Sequence, residues 1–323
     1  MLIGIDDTGT VALGQTFMVS VVFIRSTSMP IVTFAFERWK KLCRRKIPGN
    51  LKEIKSTDLT DGMYKNFVND VVFAPGVSIW YNTFGVMVDN HTLEWGKLQR
   101  DRFVEQYRAE IPVAFSEGRF KLAKQTENLA GWIKSTPPGM QIKMAVLDIA
   151  FLASINQAIV ESVLGKFDEE LSELQWYIDL GFLKDKSTMY WKELLRSGLI
   201  QSSQREPIIQ ITEWPDDHPF LTTFIEQSKG PYSKFNREFA KRINFYDSST
   251  SIPVQLADIF AGIMRKKYLD GTYKHHFKRL EEKILKKERN DLHLLQFSEL
   301  EKFNQPSPSD LNIYEEFERA DSV

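Results

Sequence analysis

The chain has 323 residues, with 42 Lys and Arg against 43 Asp and Glu, a formal net charge of -1. That balance excludes a globally basic nucleic-acid binder but not a local basic surface. With 42% hydrophobic and 26% charged residues, general disorder is excluded too. The single cysteine, Cys43, excludes a disulfide framework and any Cys-rich zinc module. It fits a reducing compartment, so a cytoplasmic protein is expected.

No membrane segment is expected. Phe17–Ile24 is too short, and Met144–Leu164 is interrupted by Asp148, Asn156, Gln157 and Glu161; a span needs about 20 apolar residues in a row. Met1-Leu2-Ile3-Gly4-Ile5 carries no basic region before its apolar run, which argues against a signal peptide.

In chain order, Leu2–Asp6 and Thr16–Ile24 read as strands joined by the turn chemistry of Asp7-Thr8-Gly9-Thr10. Thr33–Arg45 reads as a helix stopped by Pro48-Gly49, and Thr60 or Asp61 can cap a helix over Met63–Val71. Val77–Val88 alternates as a strand. His91–Lys166 is mostly helical, broken at Thr136-Pro137-Pro138-Gly139, with Met144–Phe167 a long, largely buried helix suited to a core or a dimer interface. Leu174–Phe182, Pro207–Glu213 and Arg242–Asp247 read as strands; His218–Gln227, Pro253–Lys267 and Lys274–Glu288 read as helices. Gln305–Ser309 reads as a linker. The expectation is an α/β (α+β) mixed sheet with a helical insertion near residues 91–170 and a C-terminal helical extension. Residues 1–290 form one domain in this reading, and 291–323 an acidic tail.

Carboxylates inside apolar runs carry the functional signal. Asp6 ends Leu2-Ile3-Gly4-Ile5, Asp179 follows Trp176-Tyr177-Ile178, and Asp258 sits in Leu256-Ala257-Asp258-Ile259-Phe260. An ionised carboxylate costs several kcal/mol to bury unless something pairs with it. A hard divalent cation, Mg²⁺ or Mn²⁺, needs several convergent oxygens and gives such acids a purpose. Asp258 should lie about one turn into its helix, with small Ala261 and Gly262 on its face permitting close packing on a sheet. Each acid also has a structural reading: Asp6 starting a turn, Asp179 pairing with Lys184 or Lys186, Asp258 pairing with Arg265. Asp148 is left aside because a long helix has a solvent face to hold it.

Four segments resemble the bacterial domain-of-unknown-function 3800 family. They are Ile3-Gly4-Ile5-Asp6-Asp7-Thr8-Gly9, Glu53-Ile54-Lys55, Tyr177-Ile178-Asp179 and Gln255-Leu256-Ala257-Asp258, in that order over residues 1–268. Asp7 departs from the usual Glu and Leu180 from a polar residue, and the helical region is larger than in minimal members. The resemblance implies a ribonuclease H-like, integrase-like fold. It implies a Mg²⁺- or Mn²⁺-dependent nuclease that hydrolyses a phosphodiester of DNA or RNA, with Asp6, Glu53, Asp179 and Asp258 as catalytic and metal-binding residues. In that scheme two ions about 3.5–4 Å apart are bridged by Asp6. Lys55 would approach a phosphate.

Two basic clusters offer a nucleic-acid surface: Arg38, Lys40, Lys41, Arg44, Arg45 and Lys46 around Cys43, and Arg265, Lys266 and Lys267 with Lys274, Lys278 and Arg279 after Asp258. Solvated helix faces are the alternative for both. The five histidines lack HExxH or HxH spacing, which disfavours a zinc hydrolase. The acidic tail is a solubilising end, or a cover for the basic surface. Competing readings are a non-catalytic ribonuclease H-like module that binds nucleic acid or a protein partner, and an actin or sugar-kinase-like ATP-binding protein. The latter lacks a second Asp-Gly phosphate turn and a Gly-Gly adenosine motif.

Overall fold

A computed structural model describes residues 1–47, 54–179, 214–226, 234–268, 278–283 and 293–295. Strands β1 (Leu2–Thr8), β2 (Thr16–Ile24) and β3 (Ile79–Met87) form an antiparallel meander. On the other side of β1, strand β4 (Gln175–Asp179) runs parallel to it, and β7 (Ile243–Tyr246) runs parallel to β4. Two-residue strands β5 (Ile225–Glu226) and β6 (Lys234–Phe235) pair as a separate ribbon, and β8 (His293–Leu294) adds to β3. The main sheet is therefore mixed, in the order β7-β4-β1-β2-β3-β8. Its long strands are rich in β-branched and aromatic residues, which suit a pleated, buried surface.

The α-helices whose bounds lie within the described residues are α1 (Met29–Arg44), α2 (Asp61–Phe67), α3 (Asn90–Ser116), α4 (Phe120–Ser135), α5 (Pro138–Leu164), α6 (Pro219–Phe224), α7 (Arg237–Lys241) and α8 (Ile252–Tyr268). Two begin earlier than their periodicity suggests. In α1 and α5 a proline occupies the first turn, where its missing N–H has no intrahelical acceptor to lose. Pro138 thus opens α5 as well as marking the break before it. Helix α6 stops at Phe224, three residues short of expectation, because the chain turns into β5. His218 caps it, with Nδ1 accepting from the Phe220 amide at 3.2 Å and Nε2 lying 3.0 Å from Asp168. The strand expected over 207–213, most of the helix expected over 274–288 and the tail apart from residues 293–295 lie outside the described residues; at its start the tail joins the sheet as β8.

Period two along β1 divides the molecule. Ile3 and Ile5 join Phe17, Val19, Val21, Phe23, Phe84, Val86, Trp176 and Ile178 in a core capped by α5. Met18, Val22, Ile24, Ile79 and Tyr81 face the other way, onto α1, α2 and α8. Toward α8, strand β1 contributes Leu2, Gly4 and Asp6, none of them a large buried apolar residue. Gly4 explains how close α8 comes: a Cβ there would sit 2.0 Å from the Pro253 carbonyl oxygen.

By length and composition alone, α5 could cross a membrane, contrary to the expectation that its polar residues break the run. Half of its most apolar stretch is buried, packed on β2, β3 and α3 as a core helix is. Helices α3 and α4 form a hairpin with its own small core of Val104, Tyr107, Ala114, Leu122, Ala123, Ala130 and Ile133.

Candidate functional site

Asp6 lies inside β1 rather than at its end. It stands opposite Ser20 on β2, and Ser20 stands opposite Thr83 on β3. Ile5 pairs with Ile178 on β4, so the next position places Asp179 beside Asp6, and Asp179 pairs with Tyr246 on β7. Side chains at matched positions share a face. One polar row, Thr83-Ser20-Asp6-Asp179-Tyr246, therefore crosses five strands on the α8 side. Ser20 and Thr83 are fully buried and satisfy each other, with hydroxyl oxygens 2.9 Å apart.

Asp258 comes to this row from α8, nearly two turns into the helix rather than one. Asp6 and Asp258 are 4% and 8% exposed, so water does little to screen them. Burial pushes the Asp6 carboxyl well above the usual carboxylate range, and the negative charges of Asp179, Asp258 and Asp7 push it further. The Asp7 amide, which donates to Asp6 Oδ1 at 2.7 Å, opposes the shift without cancelling it. The three acids singled out in the sequence thus converge, coming from residues 6, 179 and 258 of the chain. Glu53 lies outside the described residues, as do Lys184 and Lys186.

Among the described residues, no three His, Cys, Asp or Glu side chains already surround a point suited to a metal ion. Asp258 already has a partner. Ser56 donates to it twice, from its backbone N–H to Oδ2 at 2.9 Å and from its hydroxyl to Oδ1 at 3.1 Å. The Tyr64 hydroxyl donates to the Ser56 carbonyl at 2.6 Å. Gly262, one turn beyond Asp258, makes the approach possible, since a Cβ there would lie 2.2 Å from Ser56 Cβ. The small Gly262 therefore admits the Ile54–Leu59 segment, whereas the sequence suggested it would admit the sheet.

Lys266 extends the same face. Its Nζ donates to the Leu59 carbonyl at 3.2 Å and lies 4.7 Å from the Tyr64 ring centroid. Asp258, Gly262 and Lys266 recur every four residues, a single stripe of the helix, and this stripe holds the Ile54–Leu59 segment. Lys266 thus has a structural task besides the nucleic-acid role expected of it. Arg265 is exposed, and Lys267 lies over Tyr268 at 5.2 Å. The exposed Lys55 reaches Ser248 Oγ at 3.4 Å, just before α8. In the first basic cluster Lys40 is buried and paired with Glu37 at 2.8 Å, so that cluster is partly core.

Asp7, one residue from Asp6, points to the opposite face and pairs with Lys143 of α5 at 3.1 Å. Asp148, set aside in the sequence, has a buried Oδ1 with no hydrogen-bond partner among the described residues, and burial raises its carboxyl to about 8. It belongs to α5, on the other side of the sheet. Ser56 and Tyr64 carried no signal in the sequence, because their role depends on a residue some 200 positions away.

Compared with protein-family models, curated proteins and solved structures, the chain has no match.

Proposed function

We propose that this protein is a divalent-metal-dependent phosphodiesterase acting on nucleic acid, on a sheet of ribonuclease H-like design. The observation that carries this reading is the convergence of Asp6 and Asp179, in one polar row of the sheet, with Asp258 of α8, Asp6 and Asp258 both buried. Like charges held together in a poorly screened site are costly. The donor set, all carboxylate oxygen, suits Mg²⁺ or Mn²⁺. The strand order supports the fold reading: β1 central, β2 and β3 antiparallel on one side, β4 and β7 parallel on the other.

Asp6, Asp179 and Asp258 would hold the cation, with Glu53 a further candidate. Once bound, it would supply Lewis-acid activation of a water and of the scissile phosphate. The chain's own residues do the rest. The Ser20–Thr83 pair fills the row beside Asp6 with satisfied polar groups. The apolar side chains around Asp258 keep bulk water away. The cationic end of α8 starts at Arg265, about 10 Å along the axis from Asp258 at about 1.5 Å per residue, a distance that suits contacts to neighbouring phosphates.

Mn²⁺ calorimetry on the wild type and Asp258→Asn tests this without any guess at substrate. Binding by the wild type that is lost in the variant is expected, followed by metal-dependent cleavage in a nucleic-acid screen. A wild type that takes up no Mn²⁺ overturns the reading. A second reading, a non-catalytic module binding nucleic acid or a protein, draws support from the engagement of both Asp258 oxygens by Ser56.

A further inference from the structure

We infer that Ser56 is the positioning residue of the acid cluster, setting the Asp258 carboxylate in the orientation on which cation affinity depends. This rests on the metal-binding reading above. Every polar group of Ser56 is committed: its N–H and hydroxyl to the two Asp258 oxygens, its carbonyl to the Tyr64 hydroxyl. Ser56 is 6% exposed, so water does not compete for these bonds. The segment around it is fastened at three levels, by Lys55 on Ser248 just before α8, and on α8 itself by Ser56 on Asp258 and Lys266 on Leu59. Gly262 is what lets Ser56 come within reach.

A carboxylate offers about four lone-pair sites, and Ser56 takes one on each oxygen. Two donors from a single residue fix the carboxylate plane, and a cation would meet the carboxylate in that orientation. Outer partners of this kind typically govern metal affinity by about 10–100-fold. Ser56 is not itself a ligand in this arrangement; it acts through Asp258.

The test measures Mn²⁺ affinity by calorimetry for the wild type, Ser56→Ala, Ser56→Thr and Asp258→Asn, with thermal unfolding as the check on folding. Ser56→Ala keeps the backbone donor and loses the hydroxyl. It should bind Mn²⁺ about 10–100-fold more weakly, while Ser56→Thr stays close to the wild type. Loss of stability alone does not change the affinity of molecules that remain folded. A measurement without any variant accompanies it: in the wild type, the Ser56 amide resonance should move as diamagnetic Mg²⁺ is added and stop at saturation. Wild-type affinity in Ser56→Ala, or an amide that stays still as Mg²⁺ saturates, overturns the role of Ser56 and leaves the metal site standing. No Mn²⁺ uptake by the wild type overturns both.

Discussion

The two faces of the sheet are built from the same strands and solve opposite problems. Toward α5 the surface is apolar, with Trp176 lying 4.2 Å from Phe151 between ring centroids. Two polar pairs bridge it, Asp7 with Lys143 and Asn82 with Gln157, while Asp148 of α5 is buried there with an Oδ1 that has no partner among the described residues. Toward α8 the apolar packing gives way around β1 to a row of hydroxyls and acids. There Asp6 meets other negative charges and has the Asp7 amide to oppose them. On one face the buried Asp148 is raised by burial alone, while on the other the charges of several acids add to burial, a conflict that stability alone would have removed. Where a fold tolerates such a conflict, function is the better explanation.

Attacking the apolar face gives the largest effect. Trp176→Ala should cost about 3–5 kcal/mol, read as a lower denaturant midpoint with metal present or absent. Asp148→Asn comes next, and it works in the opposite direction. The Asp148 carboxyl is raised from its ordinary 3.8 to about 8. Its contribution to stability is therefore fully present below pH 4 and is lost as the pH climbs through 8. The variant should match the wild type at pH 4 and exceed it by about 1–3 kcal/mol at pH 8; a gain of equal size at both pH values would dismiss the buried-charge explanation.

Asp6→Asn sharpens the contrast with a smaller effect. The raised Asp6 carboxyl has the same sign: its stabilising contribution is present below the ordinary carboxylate range and fades as pH rises through the elevated value. At neutral pH and without metal, Asp6→Asn should be more stable by about 1 kcal/mol while losing Mn²⁺ binding. A less stable variant would mean that the charge at residue 6 is compensated within the protein.

Local patterning made much of this visible. The β1–β2 hairpin, the helical insertion and α8 follow from residues a few positions apart, and acids within apolar runs marked Asp6, Asp179 and Asp258. The same rule applied to Asp148, and there the assumption of a solvent face misled. Burial of an acid is legible in sequence; the face of the sheet to which it is buried is not, because that depends on tertiary register. Lys266 read as a surface cation since three basic residues close α8, and nothing local indicates that one of them reaches Leu59. Ser56 was silent for the same reason: its only distinguishing property is a partner on α8.

The α3–α4 hairpin encloses a core separate from those on either side of the sheet. Its own core is built from residues close in sequence, and α3 also packs on α5 and sends Trp95 into the core under the sheet, whereas β1 is joined to β4 and α8 across most of the chain. Opening of that hairpin would uncover Trp95 and the α5 surface it packs on, but not the side chains of the face that carries the acids.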